Sequence, residues 1–293
     1  MFADPHLAAL SAIHRRGSFE LAAAELHLTP SAISQRIKAL EERVGTLLIR
    51  RGQPCIATET GLRLIRHHDE VQLLEQALAQ DLPGLPDGPA RLRIAVNADS
   101  LATWVMPALA ATEGHLFDVV IDDQEYSQDW LRRGEVAAAL TAQPGPLQGC
   151  DTLALGALRY LPTASPAFCA RWFPDGPTAN ALTRAPTLLF NEKDRLQQQW
   201  ADRHTGQRLT LPAHQIASSQ AFVQAALAGL GWCMNPEPLV AAHLASGALV
   251  QLASDSALDT PLYWQFSRLT AAATAPLTRA IRAAASAVLY QRI

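Results

Sequence analysis

The 293-residue chain has few of the features that mark metal, disulfide-bonded or membrane proteins. Its four cysteines, Cys55, Cys150, Cys169 and Cys233, lie far apart and form no CxxC pair and no cluster with histidine. This spacing argues against a zinc site and a disulfide framework, and it predicts a cytoplasmic protein with reduced thiols. No run reaches eighteen apolar residues, and the first residues lack a basic stretch followed by an apolar one. The sequence therefore predicts neither secretion nor a membrane-spanning helix.

Motifs that commonly mark enzymes are also missing. The chain contains no GxSxG elbow, no GxxxxGK[ST] loop, no HExxH pair and no GxGxxG fingerprint. His67 and His68 are adjacent, so on a helix they would point to different faces and could not share a metal ion. We therefore predict no enzyme activity, no catalytic residue, no metal site and no cofactor.

Length and charge predict two domains with different partners. A chain of this length suggests about two domains, and a hydrophobic share of 49% can fill sizeable cores. The net charge is only -3, yet residues 1–68 hold nine Lys or Arg against six Asp or Glu, and the remainder holds fifteen against twenty-one. A basic N-terminal region on an acidic body is expected if only that region binds nucleic acid.

A helix that could read DNA is predicted to begin after Thr29. Thr29 is a good N-cap, and Pro30 suits the first helical position. Ile33, Ile37 and Leu40 recur at spacings of four and three, which gives the helix one apolar face. Side chains on the other face could hydrogen-bond base edges and phosphates. An ordinary amphipathic surface helix would show the same periodicity, so the neighbouring elements must decide.

Those neighbouring elements favour DNA binding. Two helices precede the Thr29 helix, and the second is capped by Ser18 and joined to it as in a helix-turn-helix. Afterwards a short strand at 47–49, a turn carrying two arginines and a return strand at 55–57 predict a wing on the sugar-phosphate backbone. The residues predicted to contact double-stranded DNA are Thr29, Ser31, Ser34, Gln35, Arg36, Lys38, Arg50 and Arg51.

A long helix is predicted over residues 59–82. Apolar residues recur along it every seven positions, with further apolar or histidine positions between them, which is the pattern of a two-stranded coiled coil. The predicted seam comprises Leu64, His67, Val71, Leu74 and Leu78. Packing on its own domain could give the same pattern. However, the helix lies between a small domain and a Pro/Gly-rich linker at 83–89, so we expect it to pair with a second copy.

The remaining chain predicts an α/β domain with parallel sheets. Short apolar strands alternate with helices in this region. The strands are expected at 92–96, 119–121, 136–140, 188–190, near 216 and at 233–235. Ligands of parallel α/β sheets bind at the carboxyl ends of the strands and in the cleft between lobes.

The whole chain resembles the LysR-type transcriptional regulators. The spacing of that family is matched by Gly17-Ser18-Phe19, Ala22-Ala23, Leu26, Thr29 to Gln35, Ile37, Leu40-Glu41, Gly45, Leu48 and Arg50. The resemblance implies a winged helix-turn-helix over 1–58, a dimerising linker helix and hinge over 59–89, and an effector domain over 90–293. That domain is expected to be two-lobed and α/β, like periplasmic binding proteins, in a dimer or tetramer. Lobe I is expected at about 90–161 and 267–293, and lobe II at about 162–266.

Within that family, the effector domain resembles the ArgP/LysG branch. The resemblance rests on residues 97–104, 131–136, 155–158 and 218–224. It implies a sensor of lysine or arginine that controls a gene for basic amino acid export, together with RNA polymerase at the promoter. An organic-acid or aromatic effector is the main alternative. A transporter's solute-binding protein is another, although the helix-turn-helix and the missing signal peptide argue against it.

A basic amino acid sets the chemistry that its pocket requires. Its carboxylate needs an anion site, such as a helix N-terminus, and its cationic groups need acidic partners. The predicted effector-binding residues are Asp99, Ser100, Asp122, Asp123, Glu125, Asp194, Ser218 and Ser219. Helix capping or solvated loops would also explain several of them. A cationic effector predicts that Asp99 and Asp123 face the cleft, an acid predicts Arg or Lys there, and Asn191 stands where relatives are expected to have aspartate.

Overall fold

The N-terminal part of the computed structural model is a small winged helix-turn-helix. The structure describes residues 4–81, 90–123, 127–145 and 147–291. The three helices are α1 (Asp4–Arg16), α2 (Phe19–Glu25) and α3 (Pro30–Val44), followed by strands β1 (Ile49–Arg50) and β2 (Ile56–Ala57). The two strands pair antiparallel, with Ile49 opposite Ala57. The predicted helix-turn-helix and wing are therefore confirmed.

The predicted capping residues fix the ends of these helices. The Leu21 N–H donates to Ser18 Oγ at 3.2 Å, and the Ala32 N–H donates to Thr29 Oγ1 at 3.2 Å. Gly45 ends α3 in the left-handed region, at a φ of 78° that glycine adopts without strain. The apolar face of α3 is buried against α1 and α2, so its polar face is left for solvent.

Helix α4 (Glu59–Asp81) connects this winged unit to the body, the α/β part of the chain from residue 90 onwards. Ile65 belongs to the core of the winged unit, whereas Leu73 is buried in the core of the body. Leu74 and Leu78 remain 40% and 54% exposed. One face of the helix thus packs on its own chain, and a neighbouring face stays available for a second copy. The predicted linker at 83–89 lies outside the described residues.

In the described residues, the body is built on one seven-stranded sheet and one two-stranded sheet. Its strands are β3 (Ala90–Val96), β4 (His115–Ile121), β5 (Ala138–Thr141), β6 (Cys150–Ala164), β7 (Thr187–Leu189), β8 (Ala213–Gln215), β9 (Cys233–Pro236), β10 (Val250–Gln251) and β11 (Leu258–Ser267). Strands β4, β3 and β5 are parallel neighbours, as are β7 and β8. The predicted parallel arrangement holds for these five strands.

That prediction is wrong for the other strands. Strands β6 and β11 are long and antiparallel to each other, and the end of β6 also pairs antiparallel with β9 and β10. The sheet therefore runs without a break from the region of β3 and β4 to the region of β9. The lobe boundary expected near 161 falls inside β6, so the two lobes share strands, and their limits stay a prediction.

Helices cover the sheets and complete the core. They are α5 (Ala98–Ser100), a π-helical turn at Leu101–Val105, α6 (Met106–Ala110), α7 (Ser127–Arg132), α8 (Pro166–Trp172), α9 (Ala179–Leu182), α10 (Leu196–Thr205), α11 (Ser219–Leu227), α12 (Glu237–Ala245) and α13 (Ala275–Val288). Trp104, Trp200, Trp232 and Trp264 are all fully buried. Across the described ranges, no helix is long and apolar enough to cross a membrane.

Candidate functional site

The outer face of α3 carries most of the residues predicted to contact DNA. Thr29, Ser31, Gln35 and Lys38 are exposed, and Ser34 is half-buried. The hydroxyl oxygens of Thr29 and Ser31 lie 3.0 Å apart at the start of the helix. This places two hydroxyls and an amide on one surface, which suits phosphate and base contacts. DNA contact by these residues stays a prediction.

The two cations of α3 that are predicted to contact DNA both have neighbours within the protein. Arg36 Nη1 donates to the Pro5 carbonyl oxygen at 3.4 Å, so this side chain reaches back towards α1. Lys38 Nζ lies 3.8 Å from Glu42 Oε1, one helical turn further along. Gln35 is therefore the predicted base-reading side chain that is most openly presented.

The wing is held against the turn between α1 and α2. The Cys55 N–H donates to the Gly17 carbonyl oxygen at 2.7 Å, and a Cβ atom on Gly17 would lie 2.8 Å from Pro54 Cβ. The Arg51 guanidinium lies over the Phe19 ring, 4.9 Å from its centroid. Arg50 and Arg51 are exposed on the wing that these contacts position.

A second site is a cavity of about 400 Å³ in the body. Cavities of this size hold small ligands. Among the described residues, its charged lining consists of Asp99, Asp122, Asp123, Asp194, Asp259, Lys193 and Arg195. Asp99 follows β3, and Asp122 and Asp123 follow β4, so the carboxyl ends of two parallel strands bring three predicted residues together. Carboxylates outnumber cations, and the cavity therefore favours a ligand that carries positive charge.

Asp99 connects distant parts of the chain. The Tyr160 hydroxyl donates to Asp99 Oδ2 at 2.8 Å, and the Ser219 hydroxyl donates to Oδ1 at 2.6 Å. Burial raises the pKa of Asp99, although these two hydrogen bonds oppose the shift. Burial and the neighbouring Asp99 carboxylate also raise the pKa of Tyr160 well above its usual value. Tyr160 therefore remains a hydrogen-bond donor to Asp99.

Asp122 has several donors. Trp130 Nε1 donates to Oδ2 at 2.8 Å, while the Asp123 N–H and Lys193 Nζ lie 2.8 and 3.2 Å from Oδ1. Burial acts to raise the pKa of Asp122, but these hydrogen bonds and the Lys193 charge outweigh it and lower the pKa. Asp122 is therefore a carboxylate at neutral pH.

Asp194 lines the cavity but also shapes the loop between β7 and α10. The Phe190 N–H donates to its Oδ2 at 2.9 Å, and the Leu196 N–H donates to its Oδ1 at 3.1 Å. Burial raises its pKa. These bonds give Asp194 a structural role in addition to the effector contact that the sequence predicts.

The predicted serines are placed differently from the carboxylates. Ser218 caps α11, Ser219 is buried and donates to Asp99, and Ser100 Oγ is buried without a partner among the described residues. None of the three belongs to the described lining of the cavity. Ser219 is thus tied to the cavity through Asp99, and binding of an effector carboxylate at the helix N-termini that carry these serines stays a prediction. Glu125 lies outside the described residues.

Several lining residues were missed by the sequence reasoning. Lys193 and Arg195 belong to the loop that starts after β7, a predicted strand end that should have drawn attention to both cations. Asp259 lies on the unrecognised strand β11 and pairs with Arg159 through two hydrogen bonds of 2.8 Å. Asn191 also lines the cavity and contributes an uncharged amide there.

Comparison with known proteins gives two family matches and close relatives. Residues 5–62 match the bacterial regulatory helix-turn-helix protein, lysR family, and residues 87–286 match the LysR substrate binding domain. The HTH-type transcriptional regulator LysG of Mycobacterium tuberculosis is 44% identical over 283 residues, which is 96% of this chain and 93% of that protein. The regulator ArgP of Pseudomonas aeruginosa is 43% identical over 284 residues, 95% and 94% of the two chains.

Solved structures agree over the full length. The crystal structure of ArgP from Mycobacterium tuberculosis matches with a TM-score of 0.81 and 43% identity, covering 100% of both chains. Full-length LysG from Corynebacterium glutamicum with bound effector Arg matches with a TM-score of 0.69 and 35% identity. It covers 99% of this chain and 100% of the LysG chain.

Proposed function

Because the chain belongs to the LysR family of transcriptional regulators, we propose that a basic amino acid, arginine or lysine, is the effector that controls its action on DNA. The family assignment makes the protein a DNA-binding regulator with a separate effector domain, and not an enzyme. The proposal concerns the ligand of that domain.

The acidic wall of the cavity carries this proposal. Asp99, Asp122 and Asp123 meet at the carboxyl ends of β3 and β4, where their carboxylates can pair with a cation. The bound Arg in LysG of Corynebacterium glutamicum supports the same ligand class here. We assign Asp99 as an anchor for an ammonium group and Arg195 as the partner of the α-carboxylate, the role that the sequence had given to the serines.

An organic acid is the second candidate, since Lys193 and Arg195 also line the cavity. An acid would need both cations, whereas Lys193 already pairs with Asp122. The five aspartates of the lining would repel such a ligand. The basic amino acid is therefore the better supported effector.

The test is a thermal-shift screen of the purified protein against the twenty amino acids. A ligand that binds only the folded state raises the unfolding midpoint. We expect arginine or lysine to raise it, and Asp99→Asn to weaken their binding about tenfold or more, because a charge-assisted contact is lost. Asp175→Asn, an exposed carboxylate elsewhere, is the matched control. A response to organic acids without one to arginine or lysine would reject the proposal.

The setting of this regulation is proposed from the same family membership. We infer that the protein works in the cytoplasm, acts with RNA polymerase at a promoter, and controls a gene for basic amino acid export. If expression of a reporter fused to such a promoter responds neither to the protein nor to its effector, this target is rejected.

The assembly is proposed from α4. LysR regulators oligomerise, and the exposed Leu74 and Leu78 offer an apolar face for a second copy, with a tetramer as the larger assembly. The domain limits 1–58, 59–89 and 90–293 are part of this proposal. Light scattering that gives only the 31.6 kDa of one chain would contradict the proposed oligomer.

A further inference from the structure

Lys193 is one of two lysines in the chain, and it lines the effector cavity. Lys38 is the other, so arginine supplies every remaining cation in the count of 24 Lys and Arg. Lys193 Nζ lies 3.2 Å from Asp122 Oδ1. Lys193 follows β7 and Asp122 follows β4, so their ion pair joins two separate parts of the cavity wall.

The Lys193 ammonium occupies an acceptor position on Asp122 Oδ1 that an effector cation could otherwise take. A carboxylate offers about four acceptor positions. The Asp123 N–H and Lys193 use two of them on Oδ1, and Trp130 Nε1 uses one on Oδ2. An ammonium or guanidinium that pairs with Oδ1 must therefore replace Lys193.

The loop fixes the backbone of Lys193 and leaves its side chain able to move. The Lys193 N–H donates to Asn191 Oδ1 at 2.8 Å, and both Asp194 oxygens accept from loop or helix N–H groups. The Lys193 side chain is 46% exposed, so it can turn into water at small cost. A lysine is also easier to displace than an arginine, because an arginine would bind the carboxylate through bidentate hydrogen bonds.

We propose that Lys193 is a tethered competitor, whose ammonium holds the place on Asp122 that the cationic side chain of the effector takes on binding. This inference rests on the proposed basic amino acid effector. Breaking the internal ion pair reduces the affinity for every cationic effector, whereas a neutral ligand that leaves Asp122 alone does not have to break it. Lys193 thereby helps to set both the affinity and the specificity of the cavity.

The test is titration calorimetry on the full chain, with Lys193→Met and the charge-retaining control Lys193→Arg. Arginine and lysine are the cationic probes, and citrulline is the neutral counterpart of arginine. We expect Lys193→Met to lower the Kd for arginine and lysine about two- to fivefold, the range for exposed ion pairs, and to leave citrulline unchanged. Lys193→Arg should not tighten the binding of any probe.

Four results would overturn the inference. Arginine and lysine could bind Lys193→Met no better than the original chain, or worse, which would make Lys193 a direct ligand of the effector. Lys193→Met could bind citrulline more tightly by the same factor as arginine, which would indicate a general change in the cavity. Lys193→Arg could tighten binding as much as Lys193→Met does. If the original chain binds neither arginine nor lysine, the proposed function fails first. Unchanged unfolding midpoints of the free variants confirm their folding.

Discussion

Gln35 and Arg50 should contribute to DNA binding in different ways. Gln35 is exposed on α3, where its amide can form paired hydrogen bonds with a base, whereas Arg50 lies on the wing. We expect Gln35→Ala to cost about 1–3 kcal/mol on the cognate site and little on unrelated DNA. Arg50→Ala should weaken binding to both DNA sequences. It should also reduce the slope of log affinity against log salt concentration by about one unit.

Fluorescence anisotropy at several salt concentrations, on cognate and scrambled duplexes, would measure both variants. Glu59→Gln, an exposed change outside the predicted contacts, is a suitable control. A Gln35→Ala variant that loses affinity equally on both duplexes would assign Gln35 to the backbone and not to a base.

Single residues of the cavity could be predicted where they directly follow a predicted strand. Asp99, Asp122 and Asp123 follow recognised strands, and the rule that ligands bind at such ends places all three on the cavity. Asp259 could not be found this way because its strand was not recognised. The pairing of Lys193 with Asp122 depends on a contact between residues far apart in the chain, which no local pattern encodes.

At the scale of elements, the position of the wing depends on Gly17. Its φ of 68° and its contact with Pro54 leave no room for a side chain, whereas Gly45 has a similar φ of 78° and no atom within 4 Å of the Cβ position. Gly45→Ala should cost about 1 kcal/mol of folding stability for the backbone alone. Gly17→Ala should cost about 1–3 kcal/mol more, since the wing must shift to avoid the clash.

The two glycine variants form a matched pair. Denaturant unfolding would give the stability difference, and DNA titration would show whether Gly17→Ala also weakens binding through a displaced wing. Equal losses of stability, with unchanged DNA affinity for both, would mean that the contact with Pro54 does not position the wing.

Elements were predictable from sequence when local signals agreed with their packing. Helix α3 has a cap, a proline at its start, an apolar stripe and a terminal glycine, and all of these appear in the structure. Strands β6 and β11 were missed because Gly156, Pro162 and Pro261 interrupt them. Such residues usually end strands, and only the long antiparallel pairing between β6 and β11 overrides that preference.

At the scale of the whole molecule, α4 shows why a seven-residue repeat is ambiguous. Leu73 lies in the core of the body, while Leu74 and Leu78 lie on the exposed side of the same helix. The repeat alone fits packing on the same chain or on a partner chain. Within the repeat, Leu64 packs against the core of the winged unit, the first use, whereas Leu74 and Leu78 stay exposed and suit the second.

Asp69 of α4 lies where the winged unit, the linker helix and the body meet. The Ser11 hydroxyl of α1 lies 3.4 Å from Asp69 Oδ1. Arg15 from α1 and the Arg93–Asp118 pair from the body supply the nearby charges. Burial raises the pKa of Asp69 from 3.8 to about 6, although Arg15 and Ser11 oppose the shift. Ionisation of this carboxyl therefore destabilises the packing of the winged unit on the body.

The sign of the pH dependence follows from that shift. Between about pH 4 and 6 the folded state binds more protons than the unfolded state, so Asp69 makes stability fall as pH rises through this window. Asp69→Asn cannot ionise and should gain at most about 3 kcal/mol over the original chain near pH 7.5, but only about 1 kcal/mol near pH 4.5. His14, whose pKa is lowered by burial and by Arg93, is present in both proteins and cancels from the comparison.

Thermal unfolding at the two pH values would measure the gain, with Glu75→Gln as a control on the exposed side of the same helix. Because the buried carboxyl accepts from Ser11 of α1 and feels the charges of Arg93 and Asp118 in the body, the gain should also reduce exposure of the junction. This would be seen as slower amide exchange in α1 and β3 near pH 7.5. An equal gain at both pH values would mean that the Asp69→Asn substitution stabilises by packing, and that the charge of Asp69 does not loosen the winged unit from the body.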